Sequence, residues 1–136
     1  MAKRFYTWKE FNEDIKNTVK TLLTDEFKHI NKVYGIPKGG LIIAVALANH
    51  IPKLIYVHSL NDIDENTLIV DDISDSGETL LRIPNIRKYK TMCLFCKEKT
   101  RYQPTFWWNC CIHNEWVCFP WESTEKEEVR DGTEIL

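Results

Sequence analysis

Residues 68 to 80 read Leu68-Ile69-Val70-Asp71-Asp72-Ile73-Ser74-Asp75-Ser76-Gly77-Glu78-Thr79-Leu80. The apolar run at their start predicts a buried strand, which delivers two adjacent carboxylates at its end. Small hydroxyl residues and one glycine follow, and they lead into a short helix predicted from about Glu78. Turned N–H groups, the hydroxyls of Ser76 and Thr79 and a helix N-terminus would make a compact anion cradle. Carboxylates beside such a cradle accept hydrogen bonds from vicinal hydroxyls, so the segment predicts a site for a sugar phosphate.

Three other loop types do not fit this segment. A P-loop requires Gly-Lys-Ser/Thr, which is absent, and a dinucleotide-binding loop requires three spaced glycines. An EF-hand loop beginning at Asp72 would need glutamate at its twelfth position, where Ile83 stands. A purely structural alternative is an acidic strand end followed by a Ser/Asp helix cap. The complete pattern favours a binding site over that alternative.

Strands and helices are predicted to alternate along the chain. The first helix begins near Trp8, after the capping box of Thr7 and Glu10, and a second covers residues 41–50. Strands are predicted at 30–36, 54–58, 67–70 and 91–97, and a late hairpin pair at 105–112 and 115–119. This order is typical of a parallel α/β sheet, whose ligands bind beyond the carboxyl ends of the strands. We therefore expect the Asp71–Asp72 strand end to be largely solvent-facing when empty.

Length and charge limit the possible functions. The chain has 136 residues, which is typical of one domain, with 18 basic and 20 acidic side chains and a formal net charge of −2. This balance argues against a general nucleic-acid binder or a protein of anionic membranes. The longest apolar run, Leu41 to Ala48, is too short to span a bilayer, and the N-terminus does not resemble a secretory signal. We expect a cytoplasmic protein with reduced thiols.

The five cysteines raise the question of a zinc site. Cys93-x-x-Cys96 is followed by Cys110-Cys111 and His113, but the second group lacks the usual two-residue spacer. In an extended strand Cys93 and Cys96 would point to opposite faces. Small buried hydrophobes are therefore the favoured interpretation, and zinc is the lesser alternative.

Two further segments carry chemistry. Pro37-Lys38-Gly39-Gly40 places a basic side chain before two glycines at a helix start, which allows close backbone approach and favours an anion. Alone, a plain strand-to-helix turn is at least as good an explanation. Near the C-terminus, Trp116 offers a flat ring that can stack on a purine, and Lys97 can donate to a carbonyl oxygen. Their alternative roles are a core tryptophan and a surface lysine.

Together these segments resemble the type I phosphoribosyltransferases, over roughly residues 30 to 122. The resemblance implies a central, mostly parallel twisted sheet flanked by helices, with a small C-terminal hood. It also implies that residues 1–136 form one domain: a core at about 28–100, a hood and base pocket at about 101–122, and a polar tail at 123–136. The family transfers phosphoribose from phosphoribosyl pyrophosphate (PRPP) to a base and releases pyrophosphate.

The resemblance also assigns roles to residues. Asp71 and Asp72 would hold the ribose hydroxyls and Mg²⁺, and Asp75 would be catalytic near purine N7. The remaining assignments fall into three groups: 5′-phosphate binding by Ser74, Asp75, Ser76, Gly77, Glu78 and Thr79; pyrophosphate binding by Lys38, Gly39 and Gly40; and purine binding by Lys97, Trp116 and Val117. The last group resembles the xanthine–guanine branch, which implies a 6-oxopurine substrate, guanine, xanthine or hypoxanthine. A homo-oligomer, dimer or tetramer, is expected.

One departure from the family keeps a second function open. The family usually has a long mobile loop that closes over the reacting centre, whereas only Ser59 to Asn66 are available here, without a basic residue. A regulatory domain that binds PRPP or a nucleotide without turnover is therefore an alternative, as is a transferase for another base. The aromatic segment Thr105 to Asn109 is a candidate subunit interface.

Overall fold

A computed structural model describes residues 2–112 and 114–122 of the chain. The elements, in order, are β1 (Ala2–Phe5), α1 (Trp8–Leu22), β2 (Lys32–Gly35), α2 (Gly39–His50), β3 (Ile55–Val57), β4 (Thr67–Ser74), α3 (Glu78–Leu81), β5 (Lys90–Lys97), β6 (Phe106–Cys111) and β7 (Glu115–Cys118). The predicted polar tail at 123–136 lies outside the described residues.

A parallel sheet forms the centre of the fold. Its strand order is β3-β2-β4-β5-β6, and every neighbouring pair is parallel. Alternation along β4 separates the two faces, because Leu68 and Val70 pack toward α1 and α2 while Ile69 packs with Leu80 of α3. The predicted α/β class is confirmed. No helix in the described part of the chain is long and apolar enough to cross a bilayer.

Helix α1 begins where its capping pattern predicts. The Thr7 hydroxyl accepts a hydrogen bond from the Glu10 N–H, and the Glu10 side chain accepts one from the Thr7 N–H. Phe11, Ile15 and Leu22 are buried on its inner face. The capping box and the apolar spacing therefore identified this helix correctly.

The predicted late hairpin is wrong. β6 pairs in parallel with β5, whereas β7 pairs in parallel with β1 in a separate two-stranded sheet. The partner strand β1 is short and contains two adjacent basic residues, so its sequence gave no strand signal. A pairing between residues more than a hundred positions apart is also invisible to local patterns. This pairing brings the N-terminus to the C-terminal part of the fold.

Partly buried hydrogen bonds connect the residue after β1 to the rest of the molecule. Tyr6 directly follows β1, and its hydroxyl donates a hydrogen bond to Asp14 Oδ2 of α1 at 2.6 Å. The Asn109 amide of β6 donates to the same oxygen and to the Leu94 carbonyl, each at 2.9 Å. This network joins the start of the chain to α1 and to the central sheet.

We predict that Tyr6→Phe lowers the free energy of unfolding by about 1.5–3 kcal/mol, because a partly buried hydrogen bond from a buried hydroxyl to a charged acceptor is lost. Denaturant unfolding followed by circular dichroism measures this change. Tyr56→Phe is the matched control, since the Tyr56 side chain is exposed, and it should leave stability within about 0.5 kcal/mol of the wild type. Equal stability of the Tyr6 variant and the wild type would contradict a structural role for this bond.

Candidate active site

A cleft of about 1160 Å³ opens at the carboxyl ends of β2 and β4. One wall is the loop that leads into α2, another is the end of β4 with the loop that follows it, and a third is the two-stranded sheet with the residues after β7. Ligands of parallel α/β sheets bind at this edge. Two of the segments chosen from the sequence, around Lys38 and around Asp71, line the cleft together.

The acid pair lies deeper than expected. β4 continues to Ser74, so Asp71 and Asp72 lie within the strand instead of beyond its end, and Asp71 is opposite Cys93 of β5. Asp71 is only 7% exposed, while Asp72 is half-buried. The expectation of a largely solvent-facing strand end is therefore wrong for Asp71. The Asp72 N–H donates to Asp71 Oδ1 at 2.9 Å, which fixes one carboxylate on the backbone of the other.

Burial raises the pKa of both carboxyl groups and so makes them weaker acids. Desolvation, together with the neighbouring charge of Asp72, raises the pKa of Asp71 to about 8. Desolvation likewise raises the pKa of Asp72, and the charge of Glu122 adds to it. A pair of buried acids that repel each other favours a bound cation or hydroxyl donors over an empty site.

Residues 100–102 form hydrogen bonds with the loop after β4 and support it on the side of β5. The Ser74 hydroxyl donates to the Tyr102 carbonyl at 2.7 Å, and the Arg101 N–H donates to the Ser76 carbonyl at 2.9 Å. Gly77 has φ = 89°, and a Cβ there would lie 2.5 Å from the Tyr102 amide nitrogen. Glycine at this position thus allows the loop to lie against its support. No feature of the sequence indicated this support.

The predicted phosphate-loop residues do not all face the cleft. Asp75, Ser76, Gly77 and Thr79 line it. Ser74 also borders it, but its hydroxyl is engaged by the supporting segment. Glu78 is not part of the lining, and its side chain accepts a hydrogen bond from Arg82 at 2.9 Å. α3 is a single turn, so backbone N–H groups of the loop matter more here than a helix dipole.

The glycine loop before α2 packs against the acid pair. Lys38 and Gly39 line the cleft, and a Cβ at Gly39 would overlap the Asp72 carboxylate. Gly40 is buried behind the cleft, where a Cβ would overlap the Val70 carbonyl. The Pro37–Lys38 peptide bond is cis. The two glycines therefore allow the Lys38 loop and the end of β4 to lie side by side.

The predicted base-pocket residues are divided between three environments. Trp116 is 54% exposed and lines the cleft, whereas Val117 packs in the core. Lys97 lies at the end of β5 and is buried, and it does not line the main cleft. Its ammonium is 3.5 Å from Asp75 Oδ1, so it reaches the site through that carboxylate. Asp75 is itself well exposed.

Among the lining residues that were not predicted as site residues, three carry charged or aromatic side chains that could contact a ligand: Lys3 of β1, Trp121 and Glu122. The Trp121 ring stacks on Phe119 with centroids 4.9 Å apart, and a Glu122 carboxylate oxygen accepts a hydrogen bond from the Phe119 N–H. Lys3 could not be found from the sequence, because its place depends on the β1–β7 pairing.

The connection between β3 and β4 is short and is held together by its own hydrogen bonds and an ion pair. Residues 60–62 form a 3₁₀ turn that is capped by Ser59, and Lys32 forms an ion pair with Asp64. None of these residues lines the cleft. The lid that the family usually carries has no counterpart in this segment, as its length predicted.

The chemistry of the acid pair suits a hard divalent cation. Mg²⁺ takes oxygen ligands and is commonly held by one or two carboxylates plus substrate phosphates, so Asp71 and Asp72 fit it. Within residues 2–112 and 114–122, no group of three or more His, Cys, Asp or Glu side chains is arranged to hold a metal ion alone. Cys93, Cys96, Cys111 and Cys118 are buried thiols, and Cys110 is exposed. His113, the remaining member of the zinc alternative, lies outside the described residues.

Comparison with known proteins agrees with this geometry. The structure is similar to the purine phosphoribosyltransferase of Pyrococcus horikoshii Ot3, with a TM-score of 0.75, 26% identity and coverage of 90% of this chain and 96% of that one. It is also similar to the Helicobacter pylori xanthine-guanine-hypoxanthine phosphoribosyltransferase, with a TM-score of 0.73, 19% identity and coverage of 95% of this chain and 99% of that one. A third similar structure is that of a hypothetical protein from Neisseria gonorrhoeae with bound ppGpp. Its TM-score is 0.68 and its identity 18%, with coverage of 96% of this chain and 94% of that one.

No protein-family model and no curated protein sequence matches the chain. The structural comparisons nevertheless confirm the resemblance to type I phosphoribosyltransferases, and the chain has the fold of that family.

We predict that Asp71→Asn stabilises the ligand-free protein at neutral pH. The native pKa lies above the unfolded value, so the carboxyl favours folding when protonated, and this contribution is lost as pH rises from about 4 to about 8. Asparagine keeps the acceptor for the Asp72 N–H and carries no charge. Thermal unfolding in a chelator should show a gain of about 1–3 kcal/mol at pH 8 and little difference near pH 4. A loss of stability at pH 8 would show that Asp71 is not a buried charge.

Proposed function

We propose that the protein transfers the 5-phosphoribosyl group of PRPP to a 6-oxopurine and releases pyrophosphate. The observation that carries this proposal is that one cleft combines a buried acid pair, an anion loop and a glycine loop with a lysine. A ribose with two vicinal hydroxyls, a 5′-phosphate and a pyrophosphate at C1 presents the groups that these three elements complement. The similarity to purine phosphoribosyltransferases supports this assignment.

Substrate binding would use the three elements separately. Asp71 and Asp72 accept hydrogen bonds from the ribose 2′- and 3′-hydroxyls. The loop from Asp75 to Thr79 holds the 5′-phosphate with its N–H groups and hydroxyls. Lys38 and the backbone at Gly39 bind the pyrophosphate, whose charge must be stabilised as it leaves.

Asp71 and Asp72 would also be the residues that hold Mg²⁺. When bound, the ion neutralises the leaving group and lowers the cost of burying two carboxylates. The chain's own contribution is to keep both carboxylates in place, through the Asp72 N–H bond to Asp71 Oδ1 and the packing of Gly39 on Asp72.

The transfer breaks the C1–O bond to pyrophosphate and forms a bond from C1 to a ring nitrogen of the purine. The purine loses a ring proton, and we assign its acceptance to Asp75, whose carboxylate is exposed at the cleft. Lys97 forms an ion pair with Asp75, which orients that carboxylate, and its positive charge favours the 6-oxo oxygen of the base. Trp116 presents its ring for stacking. Orientation and charge stabilisation then supply most of the rate.

A second candidate function is nucleotide or PRPP binding without turnover. The short connection between β3 and β4 supports it, since no residue of that connection covers the cleft. The Neisseria protein whose structure contains ppGpp is a further neighbour of this fold. Product formation separates the two candidates.

We expect the purified protein with Mg²⁺ and PRPP to form nucleoside monophosphate from guanine, hypoxanthine or xanthine. Chromatographic separation of the products measures the reaction. Asp71→Asn combined with Asp72→Asn should lower kcat/KM by a hundredfold or more, on the order of the loss seen when a charge-stabilising group is removed. Asp25→Asn is the control, because this carboxylate is exposed on the surface. Tight PRPP binding without any product would favour the regulatory candidate.

We further predict that wild-type protein prefers 6-oxopurines to adenine by about tenfold or more, because the positive charge that Lys97 brings to Asp75 favours a carbonyl oxygen over an amino donor at position 6 of the base. Lys97→Met should remove this preference, whereas Trp116→Ala should weaken all purines alike. The ratios of kcat/KM for guanine and adenine in the three proteins measure the effect. An unchanged ratio in Lys97→Met would show that the base is recognised by other residues.

A further inference from the structure

Lys3 gives the cleft a cation that the mechanism above does not use. It is an exposed residue of β1, and its register partner in β7 is Trp116. Partners in register on neighbouring strands lie about 5 Å apart with their side chains on the same face. Lys3, Trp116 and Cys118 all line the cleft, while Val117 points to the core. The Lys3 side chain therefore leaves the sheet on the cleft side next to Trp116, whose ring is the one on which a purine would stack.

The charges around the cleft make this placement informative. Four carboxylates line it, Asp71, Asp72, Asp75 and Glu122, against two ammonium groups, Lys3 and Lys38. Lys38 belongs to the loop before α2, whereas Lys3 is the cation that the two-stranded sheet contributes to the cleft lining. Within residues 2–112 and 114–122, the Lys3 side chain forms no hydrogen bond or ion pair. Its charge is thus available to a ligand.

The three candidate purines differ in charge at neutral to mildly alkaline pH. Xanthine carries a second carbonyl, which stabilises the anion formed when a ring N–H is lost, whereas guanine and hypoxanthine stay neutral more readily. The negative charge spreads over the ring and its exocyclic oxygens. A cation at the edge of a stacked ring forms a charge-assisted hydrogen bond with such an anion, roughly twice as strong as one to a neutral base.

We propose that Lys3 is a specificity-determining residue that favours the anionic base xanthine over guanine and hypoxanthine. This inference rests on the proposed function, since it assumes a purine stacked on Trp116. Lys3 acts at the base and not at the phosphates, because its backbone neighbour is the stacking residue and both phosphate-loop segments lie on other elements.

The test compares Lys3→Gln and Lys3→Arg with the wild type at mildly alkaline pH, in two measurements. The first is kcat/KM for xanthine and for guanine, and the second is calorimetric affinity for xanthosine and guanosine 5′-monophosphates. Lys3→Gln should lose at least about tenfold with xanthine and xanthosine monophosphate and less than about threefold with guanine and guanosine monophosphate. Lys3→Arg, which keeps the charge, should retain most of the xanthine preference. Lys9→Gln, an exposed lysine of α1 outside the cleft, should change neither.

Other outcomes overturn the assignment in distinguishable ways. Equal losses for both bases, with a raised KM for PRPP, would place Lys3 at the phosphates, and unchanged ratios would remove it from recognition altogether. If the wild type makes no nucleotide yet binds xanthosine monophosphate in a Lys3-dependent manner, the proposed reaction fails and the Lys3 assignment stands. A wild type that binds neither nucleotide overturns both.

Discussion

Two adjacent carboxylates held inside the end of a central strand are the constraint on which the site depends. β4 is paired with β2 as far as Val70 and with β5 as far as Ser74, so the backbone at Asp71 and Asp72 is held in the sheet by β5. Keeping two buried acids close together is unfavourable without a compensating cation or hydrogen-bond donors. The strand therefore holds the pair in a state that a ligand with hydroxyl groups, together with a divalent cation, would relieve.

The loops on either side serve this arrangement. The glycine loop before α2 packs against Asp72, and glycine is needed there because a Cβ would overlap the carboxylate. The loop after β4 lies on residues 100–102, which belong to the segment after β5. The third wall of the cleft comes from β1 near the N-terminus and from β7 with the residues that follow it, which the β1–β7 pairing joins. Four distant segments thus meet around one strand end.

The sequence predicted those parts whose physical signals are local. The capping box at Thr7 located α1, and the apolar run before Asp71 located β4, because each signal depends on neighbours within a few residues. It failed where the outcome depends on tertiary pairing. The hairpin prediction overlooked β1, whose short basic sequence becomes a strand only because Glu115–Cys118 lies beside it. The burial of Asp71 was missed because strand pairing extends four residues beyond the apolar run, and the sequence has no marker for that extension.

The central claim is that the acid pair in β4 binds a sugar phosphate with the help of a divalent cation. The most direct measurement is calorimetric titration of PRPP into the wild-type protein, with Mg²⁺ and with a chelator. We predict saturable binding of one PRPP per chain with Mg²⁺ and at least about tenfold weaker binding without it. Binding of equal strength in both conditions, or no binding with Mg²⁺, would contradict the role given to Asp71 and Asp72.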